Sequence, residues 1–325
     1  MIPDVSILVS VYNSSKYIER CAHSIFLQTF ENLEIIFVND CSTDDCMEKL
    51  QKVIEQYPNR RDFVKIINHE RNRGTGIANT TLINNASGKY FQFVDNDDYL
   101  EPEMTETLYK KAVEEDADIV VSDFFCEYLE FKEYINVYIS PDNSVNLKNI
   151  LTRKIAPCLW KNLMKRELFF GNEPVFIEGL DIPNDLYASI WLFYRAKKTV
   201  KIDKAFYHFI RTCNAASNWA SKKYFDNIAL WAKLAEKFIS EYKIDINTED
   251  FEFGKVDRKC FLIMNTNSYN LRKEYAWLFR DIEMKYINRF RFGEKIVLFF
   301  THYGFYFLAH LTYLLIVFKN RKNKL

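Results

Sequence analysis

Two acidic loops, each directly behind an apolar run, concentrate the oxygen donors of this sequence. They are Ile35-Ile36-Phe37-Val38-Asn39-Asp40 and Tyr90-Phe91-Gln92-Phe93-Val94-Asp95-Asn96-Asp97-Asp98. β-Branched and aromatic runs that end in Asp and Asn read as strands entering turns. Carboxylates at a strand tip can hold a divalent cation, and the cation neutralises a pyrophosphate that bare carboxylates would repel. The same Asp-Asn-Asp-Asp run is also ordinary turn chemistry, because these side chains bond their own backbone. The elements around the loops decide which reading carries weight.

Those elements alternate. Val5–Val11 reads as a buried strand bounded by the turn Tyr12-Asn13-Ser14-Ser15, with Ser15 placed to cap a helix over 16–28. A strand over 33–38 leads through 40–44 into a helix whose inner stripe is Met47, Leu50, Val53, Ile54 and Tyr57, with Ser42 or Thr43 as its cap. A strand over 63–67, a helix over 79–86 and a strand over 90–94 follow, and Pro102 suits the first turn of a further helix. Four strand–helix alternations imply an α/β fold: a Rossmann-like, mostly parallel sheet flanked by helices, with its ligand site outside the carboxyl ends of the strands.

The blocks Val5 to Asn13, Gln28-Thr29-Phe30, Glu34 to Asp44, Asn72-Arg73-Gly74, Ala86-Ser87-Gly88 and Phe93 to Asp98 follow one another in an order and spacing that resembles the family 2 inverting glycosyltransferases, which have the A-type glycosyltransferase fold. The resemblance is tight over about the first 125 residues and looser to about residue 220. It implies that Val11, Tyr12 and Asn13 pack the nucleotide base, that Asp40 accepts the imide proton of the base with Asn39 beside it, and that Arg73 and Asn96 also contact the nucleotide. Asp95-Asn96-Asp97 matches the motif in which Asp95 and Asp97 hold the ion bridging the two donor phosphates, with Asp98 beside them. Oxygen ligands suit magnesium and manganese alike. Tyr12 as a core aromatic and Asp40 as a turn cap are the plainer readings of those residues.

An inverting displacement also needs a carboxylate to take the proton of the attacking hydroxyl. The resemblance places it in the segment from Phe176 to Tyr187, and the implied base is Asp185. Asn184 stands where a glutamate is usual, which leaves Glu178 and Asp181 as alternatives. Asp185 would also cap the following helix well. Ala205 to Arg211 resembles the strand that closes the site, so His208 is implied as a third metal ligand and Arg211 as a phosphate contact. A His within an aromatic strand is also an ordinary core residue. Trp160 is a candidate for stacking on an acceptor sugar or, equally, a core tryptophan.

Some positions depart from the family pattern. Ser10 stands where proline is frequent, Asn79-Thr80 where an Arg-Asn pair is common, and Cys41 where glycine is usual, so that the turn at Cys41 is expected to have an unstrained φ. A dinucleotide oxidoreductase would share the alternation, but Tyr12-Asn13-Ser14-Ser15 lacks the glycines such a site needs. A non-catalytic sugar-nucleotide sensor or scaffold stays open.

The formal net charge is zero, so nothing draws the whole chain to nucleic acid. Seven scattered cysteines in 325 residues read as reduced thiols of a cytoplasmic protein. The expected organisation is a catalytic domain over 1–220, with a nucleotide-sugar half (1–125) and an acceptor half (126–220), a helical extension over 221–285, and a basic, aromatic segment over 286–325. That last stretch carries seven Lys or Arg against one acid, Glu294, and residues 296–318 hold no Asp, Glu, Lys or Arg. It is expected to associate with the inner face of the cell membrane as a peripheral segment, with spanning and burial as the alternatives. Resemblance to surface-polysaccharide transferases implies a polyprenyl-linked saccharide acceptor there.

Overall fold

A computed structural model of the chain describes residues 2–181, 184–211 and 221–322, the last five of these by backbone alone. The chain divides into two compact units, Met1–Ile150 with Lys154–Arg211, and Leu151–Arg153 with Thr212–Leu325.

The first unit is built on a nine-stranded sheet. Its strands are β1 (Val5–Val11), β2 (Leu33–Asn39), β3 (Val64–Asn68), β4 (Tyr90–Phe93), β5 (Tyr99–Leu100), β6 (Ile119–Glu127), β7 (Lys132–Ile135), β8 (Asn162–Lys165) and β9 (Thr199–Ile210). The helices are α1 (Ile18–Phe26), α2 (Cys46–Glu55), the single turn α3 (Pro58–Arg61), α4 (Thr75–Asn85), α5 (Met104–Glu114), α6 (Asn143–Leu151) and α7 (Asn184–Arg195). The sheet order is β3-β2-β1-β4-β8-β6-β9-β5, with β7 paired to the side of β6. Parallel strands need covered faces, and β1 meets that demand: Val5, Ile7, Leu8, Val9 and Val11 are fully buried. Parallel pairing joins β3, β2, β1 and β4, so the tips of β1, β2 and β4 share one edge.

The expectation of a mostly parallel sheet holds only for that half. β8 runs antiparallel to both β4 and β6, and β5 and β7 are antiparallel to β9 and β6, leaving a mixed sheet. Local details differ too. α4 begins at Thr75 instead of 79, directly after Gly74 at φ +84°. Pro102 lies in a turn ahead of α5. Ser15 does not cap α1; its N–H donates to Asp44 and its hydroxyl to Asp45, tying the loop after β1 to the start of α2. Neither Ser42 nor Thr43 caps α2, whose N-cap position is Asp45.

The second unit is helical. Lys222–Glu241 and Thr248–Asn265 are its longest helices, and Phe292–His302 and Tyr306–Lys322 form a hairpin. Phe225, Ile228, Val256, Leu262, Ile263, Val297 and Leu298 lie in its core. That core encloses an ion pair, Lys259 Nζ to Glu283 Oε2 at 2.5 Å, and His302 closes on the other Glu283 oxygen at 2.7 Å. A buried charge of this kind is tolerable only when paired. Among the described residues no helix is long and apolar enough to cross a membrane, which removes the spanning alternative for the described part of 296–318.

Candidate functional site

The edge where β1 and β4 end opens into a cavity of about 230 Å³. Leu8 and Ser10 line it from β1, Phe93, Val94 and Asp95 from the end of β4, and Thr75 and Asn79 from the first turns of α4. Leu159 and Trp160 come from the loop before β8, and Asn184 and Asp185 from the first turn of α7. The fold thus brings Asp95, Asp185, Asn184 and Trp160 to one place.

Asp95 opens to solvent in this cavity, yet the protein around it pushes its carboxyl well above the usual carboxylate range, and the charges of Asp98, Asp185 and Asp97 push the same way. Burial raises Asp97 as well. The loop is held by its backbone. The Asp95 N–H donates to the Tyr207 hydroxyl, which donates to Asp98 Oδ2, and Asp98 Oδ1 accepts the N–H of Ile210. Asp98 is fully buried, so its job here is to anchor the loop to β9. Asn96 donates to the Ser10 carbonyl, joining the tips of β4 and β1, and Arg20 donates to the Asp97 carbonyl.

Asp185 sits in the opposite wall. Burial lifts its carboxyl to about 6, against the lowering effect of a Leu159 backbone hydrogen bond and of the Lys161 charge. Lys161 itself is 2 % exposed, and its ammonium donates to the Ala156 carbonyl. Sequence reading passed over Lys161, since a lysine beside a tryptophan carries no signal of burial. Asn184 Nδ2 is buried without a hydrogen-bond partner. Asp181 accepts the N–H of Gly76 at 3.4 Å at the start of α4, and Glu178 is exposed; neither lines the cavity.

Asp40 is occupied in a way its sequence position does not reveal. It is 3 % exposed; Oδ1 accepts the Arg73 N–H at 2.8 Å and lies 2.7 Å from His69 Nδ1, while Oδ2 accepts the Gly74 N–H at 2.8 Å. The carboxylate therefore clamps the loop from His69 to Gly74 onto the tip of β2. Beside it the Arg73 side chain is exposed, and a surface hollow is lined by Asn68, His69, Glu70, Arg71 and Arg73. Val11 is buried, Tyr12 is 47 % exposed, and Asn13, at φ +48°, accepts the Thr43 N–H and donates its own N–H to Ser42. Asn39 accepts the Ser42 N–H and donates to Asn68, so Asn13, Asn39 and Asp40 border one group of loops. Cys41 takes φ +61°, not the unstrained turn expected of it, and its thiol reaches the Glu70 carbonyl.

Both ring nitrogens of His208, implied above as a third metal ligand, face carboxylates of the protein. Nδ1 is 2.8 Å from Glu127 and Nε2 2.9 Å from Glu101, and the ring stacks between Tyr99 and Phe125. Arg211 packs over Tyr128. Trp160 is 4 % exposed and stacks on Tyr207 and Phe209, which makes it chiefly a core aromatic that shows part of its surface to the cavity.

Among the described residues no three His, Cys, Asp or Glu side chains stand together as a complete ion site. Asp95 and Asp97 offer two carboxylates, and that is the protein share expected when magnesium-type ions are completed by substrate phosphates and water. Burial raises both carboxyls and neighbouring carboxylates raise Asp95 further, and a cation would relieve that cost.

Residues 6–170 match the model of the family described as Glycosyl transferase family 2. The uncharacterized glycosyltransferase EpsJ of Bacillus subtilis is 31 % identical over 222 residues, 66 % of this chain and 63 % of EpsJ. Glycosyltransferase GlyA of Streptococcus pneumoniae serotype 4 is 31 % identical over 231 residues, 67 % of this chain and 32 % of GlyA. The chain thus spans less than two thirds of either relative. Among solved structures, S. aureus TarS 1-349 in complex with UDP-GlcNAc superposes with a TM-score of 0.59 over 95 % of this chain and 90 % of TarS 1-349 at 17 % identity, a likeness of fold.

Proposed function

The chain belongs to glycosyltransferase family 2, and we propose that it transfers a sugar, with inversion, from a nucleoside-diphosphate sugar to a saccharide acceptor in surface-polysaccharide synthesis. The observation that carries this reading is the placement of Asp95 and Asp185 in one cavity at the strand tips. The donor sits across the tips of β1, β2 and β4, with its base near Tyr12, Asn13 and Asn39 and its diphosphate near Asp95, Asp97 and the Arg73 guanidinium. A uridine donor is favoured by the UDP-GlcNAc held in the TarS structure.

A bound magnesium or manganese ion supplies charge neutralisation for the departing diphosphate. The rest falls to the chain. Asp185, with its carboxyl near 6, is deprotonated at neutral pH and basic enough to take the acceptor hydroxyl proton as that oxygen attacks the anomeric carbon. The Leu159 backbone hydrogen bond and, to a smaller extent, the Lys161 charge favour its ionised form against burial. The apolar wall of Leu8, Phe93, Leu159 and Trp160 limits water at the reacting centre. The acceptor is a lipid-linked saccharide at the cytoplasmic face of the membrane, handled by residues 126–220.

A second reading, a sugar-nucleotide sensor without turnover, is favoured by Asn79 and Asn184, two amides in the cavity wall where the family commonly carries charge. Titration of the full chain with UDP, with and without manganese, followed by a screen of sugar nucleotides for slow donor hydrolysis, separates the readings. Metal-dependent binding with hydrolysis supports the transferase; binding without hydrolysis or transfer leaves the sensor; no binding removes both.

A further inference from the structure

The hairpin that ends the second unit is apolar on two opposite faces. In Tyr306–Lys322, Ala309 and Tyr313 are buried and Ile316 and Val317 pack against the core, a single helical face. Phe307, Leu308, Leu311, Leu314 and Leu315 share the same spacing half a turn round the helix, and they are exposed by 41 to 69 %. The preceding helix repeats the pattern: Val297, Leu298 and Thr301 face inward, while Phe292 (80 % exposed), Phe299 and the adjoining Tyr303 face outward.

A surface helix normally turns charged and polar side chains to water, and one that is apolar all round needs a second apolar surrounding. No described helix is long and apolar enough to cross a bilayer, so that surrounding must be met from one side. Charge selects its nature. Residues 286–325 carry seven Lys or Arg against the single acid Glu294. A second copy of this chain would set that positive excess against itself, whereas an anionic lipid surface complements it.

We propose that the outward face of this hairpin docks on anionic lipid bilayers, with the helices lying in the interface and the exposed Phe and Leu side chains below the headgroups. The surface gives the proposed lipid-linked acceptor its place, but the inference stands on the hairpin alone.

The test uses the full chain and vesicles of phosphatidylcholine with or without phosphatidylglycerol. Flotation with the anionic vesicles is expected to exceed that with neutral ones by on the order of tenfold or more, and to fall as salt rises. The double variant Leu311→Glu with Leu315→Glu replaces exposed side chains, so it should keep the thermal transition and UDP binding while losing most vesicle binding. No flotation of the unmodified chain, equal flotation of the variant, salt-independent binding, or a solution dimer that the double variant splits while vesicles bind neither form would each overturn the proposal. Failure with UDP binding intact sinks only the docking surface; failed UDP binding with flotation intact sinks only the transferase reading.

Discussion

Asp95 and Asp185, far apart in the chain, line one cavity closely enough that the charge of Asp185 helps to raise the Asp95 carboxyl. One comes from the tip of β4 and the other from the first turn of α7, so the sheet edge and a helix start meet across the place where a sugar would change hands. Two carboxylates in different surroundings divide naturally between holding charge and moving a proton.

Replacing Asp185 by Asn removes the basic oxygen and keeps the size of the side chain. UDP binding should be unchanged within about twofold, while transfer should fall on the order of a hundredfold or more, the usual contribution of a positioned base. Calorimetry and a radiolabelled transfer assay read the two quantities. Transfer retained in this variant would move the base to Asp181 or Glu178.

The Asp185 carboxyl near 6 fixes the sign of the pH dependence. A base works deprotonated, so kcat/KM should climb as pH rises through about 6 and level off above it. Lys161 pulls that value down, so Lys161→Met, by removing the charge, should shift the midpoint of the climb to higher pH. A midpoint that does not move would show that Asp185 does not feel Lys161 during turnover.

Asp97→Asn should remove the manganese-dependent part of UDP affinity and leave the metal-free part in place, as read by titrations with manganese and with a chelator. Equal losses under both conditions would mean that Asp97 acts through the loop and not through an ion.

Much of the first unit was legible because parallel strands buried on both faces must be apolar and β-branched: β1, β2 and β4 show this plainly in Val5–Val11, Leu33–Asn39 and Tyr90–Phe93. β8 was not, because Asn162–Lys165 is four residues long and its reversal depends on pairing with β4 and β6. The surroundings of individual polar groups were also hidden. Nothing local says that His208 will sit between Tyr99 and Phe125, contacts made by the β5–β9 and β6–β9 registers, or that Asp40 will meet two backbone N–H groups of the loop ending at Gly74.

That hidden clamp yields its own expectation. Asp40→Asn turns one acceptor into an N–H₂ donor facing the N–H of Arg73 or Gly74, leaving a buried donor unpaired. Stability should fall by about 1–3 kcal/mol in chemical denaturation. UDP affinity should fall with it, because Arg73 sits on the freed loop. Unchanged stability would show that the clamp contributes little to the fold.

Gly74 is the sharpest backbone constraint near the site. Its φ of +84° and ψ of +161° lie in a region essentially restricted to glycine, and a Cβ there would fall 2.1 Å from Asp181 Oδ1. Gly74→Ala therefore meets two costs, backbone strain of order 1–3 kcal/mol and displacement of the Asp181 carboxylate from the start of α4. The second can be separated from the first. Asp181→Ala in the Gly74→Ala background removes the collision but not the strain, so the double variant should be more stable than the sum of the single losses predicts. Simple additivity in a double-mutant cycle would mean that the loop before α7 yields freely, and that Asp181 does not hold Gly74 in place.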